Sequence, residues 1–235
     1  MYYHVALPLL PMDPAVGEKW LTVAERKYPN TFRIGTMRTI ALSMRGKTAA
    51  ALDLARRLLD REPTNVEAMQ LFADVSLLAH APVAERANSA LFGTNLEPAF
   101  ANYWIFPESA RARYAYLHLQ RDDVAGARQL LDDAEQAALR LWKQGLETPL
   151  LPVELAAIRA LRKDHAGAME WLNRAYDSGW RMPSWIRLDP LLENLHSDTR
   201  FTQFVGRMED DVRRAREHST EVPELLRSLE GAAVQ

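Results

Sequence analysis

The 235-residue chain contains no cysteine, and this absence excludes a disulfide framework, a thiolate metal site and a cysteine nucleophile. Glycine is also scarce, with 10 residues, while alanine, leucine, arginine and glutamate are abundant, which is typical of helices rather than strands. The net charge of -2 does not match a general nucleic-acid binder, which needs clustered lysine and arginine against phosphates. The composition therefore indicates a helical protein with no nucleic-acid partner.

The N-terminal region has no long hydrophobic run. An apolar Val5-Ala6-Leu7 patch is interrupted by Pro8 and Pro11, and no positive charge precedes it. This patch is too short and too broken for a signal peptide or a membrane span. We therefore expect a soluble cytoplasmic protein with no membrane partner, unless the chain is one piece of a larger protein.

Motifs that would indicate catalysis are missing from the sequence. It has no phosphate-binding glycine loop, nucleophile elbow or His-Glu-x-x-His zinc motif. Glu193 and His196 have the spacing of a metal-binding Glu-x-x-His pair, but the second pair that a di-metal site needs is absent. Asp164 and His165 fall in a predicted turn, where aspartate caps helices well, and His118 lies on a helix face expected to meet its partner helix. We expect no catalytic residue, metal or cofactor, and predict that the protein is not an enzyme.

What the sequence does contain is a repeat. Pro29 and Pro63 stand 34 residues apart, and an asparagine follows each of them closely. A period near 34 predicts helix-turn-helix units stacked along an axis, because one such unit cannot bury its own apolar face. Asp13 and Pro14 suit a helix start. The spacing further predicts helices from Phe32 to Met44, from Ala49 to just before Pro63, from Val66 onward and from Val124 to about Gln144, with turns at 45–47, 80–82, 121–123 and 163–165.

Two sets of small residues in these units resemble the tetratricopeptide repeat (TPR) family. The family pairs a large with a small residue in the first helix and places small residues seven apart in the second. The pairs are Phe72-Ala73, Tyr114-Ala115 and Leu155-Ala156, and the second set is Gly17/Ala24, Ala127/Ala134 and Ala168/Ala175. Arg38-Thr39 departs from the pattern. The resemblance covers about residues 13–178 and implies an all-α, right-handed superhelical solenoid of helix-turn-helix hairpins.

The C-terminal region resembles the closing segment of bacterial TPR proteins, whose arrays are often attached to signalling or regulatory modules. The resemblance is carried by Gly179-Trp180-Arg181, Trp185, Leu188-Asp189-Pro190-Leu191 and Ser197-Asp198-Thr199-Arg200-Phe201. An array end exposes an apolar face, so we expect these residues to form a helical cap. The expected organisation is an array over 1–178 with an aromatic insertion at about 99–107, a cap over 179–218 and a loosely held tail over 219–235.

The TPR resemblance implies a concave groove lined by the first helix of each unit. We therefore predict a non-catalytic scaffold or adaptor that binds a protein, with an apolar or helical peptide as guest rather than an acidic tail. The alternative is a regulatory or ligand-sensing module, and part of the lining could also pack internally. The predicted partner-binding residues are Arg33, Thr36, Ile40, Gln70, Asp74, Tyr116 and Gln120 in the groove, with Tyr103 and Trp104 in the insertion.

The insertion itself allows two interpretations. Four aromatic residues, Phe100, Tyr103, Trp104 and Phe106, interrupt the repeat at its middle. Exposed beside the groove, Trp104 would anchor a partner, because aromatic residues are over-represented at binding hot spots. Folded inward, the four rings would fill the gap between neighbouring units.

Overall fold

The computed structural model describes residues 9–92 and 108–218, and within these ranges it contains helices and no strand. The prediction of an all-α protein is confirmed for this part of the chain. The aromatic insertion with Tyr103 and Trp104, and the tail at 219–235, lie outside the described residues.

Successive helices pack against one another along the described chain. A short 3-10 helix at Pro190–Leu195 precedes the last α-helix. The α-helices are α1 (Pro14–Lys27), α2 (Phe32–Met44), α3 (Thr48–Arg61), α4 (Val66–Leu78), α5 (Ala84–Phe92), α6 (Ala110–Leu119), α7 (Val124–Lys143), α8 (Leu150–Leu161), α9 (His165–Asp177), α10 (Pro183–Ile186) and α11 (Thr199–His218).

Local side chains explain where several of these helices begin. Asp13 accepts a hydrogen bond from the Val16 amide with Pro14 at the first helical position, so the predicted start of α1 is confirmed. Asp164 in the same way accepts from the Gly167 amide at 2.9 Å, which confirms its predicted role in a turn. These caps satisfy backbone amides that the first helical turn leaves without partners.

The small residues of the predicted second helices are buried. Ala127, Ala134, Ala168 and Ala175 are all buried, with exposed fractions of 1, 3, 0 and 0%. A Cβ atom added to Gly35 on α2 would lie 2.7 Å from Cδ2 of Leu58 on α3, so a larger residue there would require the Leu58 side chain to move. The alanines are placed as expected for helix axes that approach closely.

The departure at Arg38 has a structural explanation. Its Nε donates to Glu25 Oε1 at 2.6 Å, and its Nη1 donates to Glu18 Oε2 at 3.0 Å. Both glutamates belong to α1, so charge-assisted hydrogen bonds join α1 to α2 where the repeat pattern would place an apolar residue.

Residues 180–208 contribute to the same hydrophobic core as the preceding helices. Trp180, Trp185 and Leu192 are buried in it, and the indole rings pack edge to face with centroids 5.5 Å apart. The guanidinium of Arg181 lies 3.5 Å from the centre of the Tyr176 ring and donates through Nε to Asp211. These contacts tie α9 to α11 through the intervening segment.

The first and last described helical segments meet. Arg216 Nη1 on α11 lies 3.1 Å from Oδ2 of Asp13, the residue that caps α1. Residues near both ends of the described chain therefore lie side by side, a contact that the repeat pattern did not predict.

Candidate functional site

Five of the predicted partner-binding residues lie inside the protein. Thr36, Ile40, Gln70, Asp74 and Tyr116 have exposed fractions of 0, 1, 8, 0 and 3%. The sides of α2, α4 and α6 that carry these residues are therefore covered. This agrees with the alternative that part of the predicted groove lining packs inside the protein. The other two described members of the set, Arg33 and Gln120, are exposed.

Asp74 belongs to a buried ion pair. Nη1 of Arg113 on α6 donates to Oδ1 of Asp74 on α4, and the two side chains are 4 and 0% exposed. Ion pairs of this depth are expensive to desolvate and leave a costly unpaired charge when one partner is removed. The pair therefore joins α4 to α6 inside the protein.

A second buried carboxylate lies on α8. Glu154 is 1% exposed and accepts two hydrogen bonds from Ser109, from the backbone amide at 2.7 Å and from Oγ at 2.6 Å. Burial raises the pKa of Glu154, and the two bonds from Ser109 oppose this shift. Ser109 also caps α6 by accepting from the Ala112 amide, so the same side chain positions the helix and the carboxylate.

The third and fourth carboxyls form a pair without a cation. Glu108 and Asp189 are 2 and 0% exposed, and neither Glu108 oxygen nor Asp189 Oδ2 has a donor partner among the described residues. Burial, followed by the neighbouring Asp189 charge, raises the pKa of Glu108 well above its usual value. Burial raises the pKa of Asp189 to about 7. The two carboxyls therefore share a proton near neutral pH, because two adjacent buried carboxylates cannot both ionise at low cost.

We call Asp74, Glu108, Glu154, Asp189 and Arg113 the carboxyl cluster. Asp189 and Arg113 each act on the ionisation of other members, so the five groups form one electrostatic unit. The hydroxyl of the buried Tyr116 has no hydrogen-bonding partner among the described residues. Burial raises the pKa of this hydroxyl, with further contributions from Glu193 and Asp189, which places Tyr116 at the edge of the cluster.

Sequence reasoning identified Asp74 and Tyr116 by helical register but missed the other members of the cluster. A signal for Glu154 was present, because it is the only charged residue in the apolar run Leu150-Leu-Pro-Val-Glu-Leu-Ala-Ala-Ile158. No comparable signal marks Glu108 or Asp189. Glu108 lies just before α6 and Asp189 just before the 3-10 helix, and only the tertiary structure brings them together.

The histidines considered in the sequence have local roles. Nδ1 of His118 lies 2.7 Å from Asp123 Oδ2, and its ring packs edge to face against Tyr114. His196 stacks on Phe201. Within residues 9–92 and 108–218, no group of three or more histidines and carboxylates is arranged to hold a metal ion.

Comparisons with protein-family models, with curated proteins and with solved structures gave no match for this chain. None of the helices in the described ranges is long and apolar enough to cross a bilayer. The case for a function therefore depends on the geometry of the carboxyl cluster.

Proposed function

We propose that the protein is a non-catalytic regulatory or ligand-sensing module on a TPR-like superhelix, and that its ligand presents a positively charged group to the carboxyl cluster. One observation carries this proposal. Among the described residues, four buried carboxyls, those of Asp74, Glu108, Glu154 and Asp189, stand against the single buried guanidinium of Arg113. The resemblance of the closing segment to bacterial signalling arrays supports the same class and a bacterial, cytoplasmic setting.

The physical reason is charge balance. A buried carboxylate without a cation is costly, and the Glu108–Asp189 pair avoids this cost by keeping a proton. An ammonium or guanidinium group could replace that proton and satisfy the free carboxyl oxygens with charge-assisted hydrogen bonds. An acidic ligand would be repelled by the same carboxyls. The ligand is therefore basic, in keeping with the expectation that the guest is not an acidic tail.

The scaffold that the sequence suggests remains a second candidate. Of the predicted groove residues, Arg33 and Gln120 are exposed, and Gln120 is the one on which this candidate rests. Thr36, Gln70 and Asp74 are covered, and the rest of the carboxyl cluster is buried to the same degree. A peptide or a small ligand could therefore reach its site only if the inner helices separated. Crosslinked pull-down from native lysate distinguishes the two classes: a stable protein partner supports the scaffold, and repeated failure to capture one supports the ligand sensor.

The direct test measures thermal unfolding of the full chain with agmatine or spermidine as basic probes and succinate as an acidic control. A ligand that binds only the folded state at 100 times its Kd stabilises by about 2.7 kcal/mol. We expect a basic probe to raise the Tm and succinate to leave it unchanged.

Matched substitutions locate the effect. Glu108→Gln keeps the size of the side chain but removes one carboxyl of the cluster, so the response to the basic probe should be lost. Glu147→Gln changes an exposed carboxyl near α8 and should respond as the wild type does. Equal responses from both variants, or no response of the wild type to either basic probe, would count against the proposal.

A further inference from the structure

One member of the carboxyl cluster, Asp189, comes from a short segment between α10 and α11. Residues 187–196, which we call the gate segment, contain Asp189 and the 3-10 helix Pro190–Leu195. The segment packs against α8, the helix that carries Glu154, and its three leucines at 191, 192 and 195 are buried. Because a 3-10 helix has poorer hydrogen-bond geometry than an α-helix, the burial of these leucines is what holds the segment in place.

Polar contacts hold the α6 side of the cluster more firmly than they hold the gate segment. On the α6 side, Ser109 donates two hydrogen bonds to Glu154, and Arg113 pairs with Asp74. On the gate segment, Nδ2 of Asn194 donates to the carbonyl oxygen of Ala160 on α8. Within residues 9–92 and 108–218, this is the one hydrogen bond between a side chain of the segment and an earlier helix. If one side of the cluster moves, it is therefore the gate segment.

The closed position of the gate segment leaves buried oxygens without donors. Oδ2 of Asp189 and Oδ1 of Asn194, together with both carboxyl oxygens of the neighbouring Glu108, have no hydrogen-bonding partner among the described residues. Buried acceptors of this kind have lost water without gaining a replacement, and water would supply donors if the segment moved outward. Apolar burial therefore holds the segment closed, while four unsatisfied oxygens oppose this position.

Ionisation of the Glu108–Asp189 pair shifts this balance. Burial raises the pKa of Asp189 to about 7, Glu154 adds to this shift and Arg113 opposes it. Tyr116 on α6 also faces Asp189, but burial raises the pKa of its hydroxyl, which stays neutral. The shared proton removes the repulsion between the two carboxyls. Without it, the closed segment holds two adjacent buried negative charges, which are expensive to keep away from water.

The other ionisable side chains of the gate segment are exposed. Arg187 pairs with Glu209 on α11 at 2.8 Å, and Glu193 points its carboxyl to solvent. Burial lowers the pKa of His196, so this group favours opening as pH falls, which is the opposite direction to the pair. The histidine contribution fades above about pH 6.5. An opening that increases toward pH 8 can therefore be assigned to the pair.

We propose that the gate segment opens when the Glu108–Asp189 pair loses its proton to solvent, and that this opening admits the basic ligand to the carboxyl cluster. Opening carries Asp189 into water and leaves Glu108 accessible, so the two negative charges separate and their oxygens gain donors. The cation of the ligand then takes the place of the proton and allows the segment to close. The entry of a ligand rests on the proposed function, whereas the opening is a property of the chain alone.

Hydrogen exchange on the full chain without ligand measures this opening. The amides of Leu192 and His196 donate hydrogen bonds inside the gate segment and report on it. Each opening releases a proton, so their protection factors, corrected for intrinsic exchange, should fall by at least about tenfold between pH 6 and pH 8. Amides of α2 and α3 should stay better protected at each pH, because the segment opens without them. Protection in the segment that does not change with pH, or that equals that of α2 and α3, would overturn the proposal.

Matched amide substitutions identify the pair as the source of the pH dependence. Glu108→Gln cannot titrate and can donate to Asp189, so protection of the segment should no longer depend on pH. Glu193→Gln makes the same chemical change at an exposed position of the segment and should keep the wild-type dependence. If Glu108→Gln does not fold, Asp189→Asn replaces it, since its amide oxygen can still accept from the Leu191 amide. A wild-type pH dependence in the variant of the pair would overturn the proposal.

The gate and the basic ligand fail in different experiments. Exchange that is independent of pH, together with a Tm increase caused by agmatine, would overturn the gate and leave the proposed function standing. Exchange that depends on the pair, without any Tm response to a basic probe, would support the opening and count against the ligand.

Discussion

At the scale of single residues, the proton shared by Glu108 and Asp189 makes stability depend on pH. Carboxyls in an unfolded chain have pKa values of about 4, whereas the folded protein raises the pKa of Asp189 to about 7 and that of Glu108 well above normal. Between these values the folded state holds more protons than the unfolded state, so the free energy of unfolding falls as pH rises. We expect a loss on the order of 2 kcal/mol between pH 5 and pH 8, measured by urea unfolding.

Glu108→Gln should flatten this dependence, because the amide cannot titrate and can donate to Asp189. Glu147→Gln should retain the full slope, since that carboxyl is exposed. Burial lowers the pKa of His196, so this group makes the free energy of unfolding rise with pH below about pH 6.5. The wild type and both variants share this contribution, and it cancels when their slopes are compared. A slope in Glu108→Gln equal to that of the wild type would show that the pair does not hold the proton.

Ala168 provides a second test at this scale. It is fully buried on α9. Ala168→Leu should overfill the contact and destabilise the fold by roughly 1–3 kcal/mol. Ala166→Leu, on the exposed side of the same helix, is the control and should be close to neutral. An unchanged Tm for Ala168→Leu would show that the assigned repeat register is wrong.

At the scale of helices, local chemistry accounts for what could be predicted. The predicted helix from Val124 to about Gln144 is observed as Val124–Lys143, and the helix from Phe32 to Met44 has the bounds predicted. Capping side chains and apolar spacing act within one or two helical turns. They can therefore be recognised in a single sequence. The ion pairs of Arg38 with Glu18 and Glu25 could not be predicted from the sequence, because they join side chains on different helices.

Removing the predicted cap is a test at the scale of helices. A chain ending after Ser178 loses Trp180, Trp185 and Leu192, which share the core of the repeats, and loses the bond from Tyr176 to Asp211. We expect this truncated protein to be less soluble or to melt at a lower temperature than a chain ending after His218, which keeps the whole cap. Equal solubility and Tm for the two chains would mean that residues 179–218 do not serve as a cap.

At the scale of the whole molecule, the repeat pattern predicted the helical architecture but not the character of its interior. Helical register predicted that Gln70, Asp74 and Tyr116 line an open groove, and the structure instead buries all three side chains. The charge balance of the interior depends on Glu108, just before α6, and on Asp189, just before the 3-10 helix. Their approach is a property of the complete tertiary structure and cannot be read from the period.

The contact between Asp13 and Arg216 also has a consequence for the order of folding. These residues are 203 positions apart, so their meeting closes a far longer loop than any contact between successive helices. Short-range hairpins should form before this closure. The contact between Asp13 and Arg216 should therefore be absent from the transition state for folding. We expect Arg216→Ala to accelerate unfolding while leaving the refolding rate nearly unchanged, as stopped-flow kinetics can measure. Slower refolding would instead mean that the chain ends meet early and that the repeats assemble within an already closed ring.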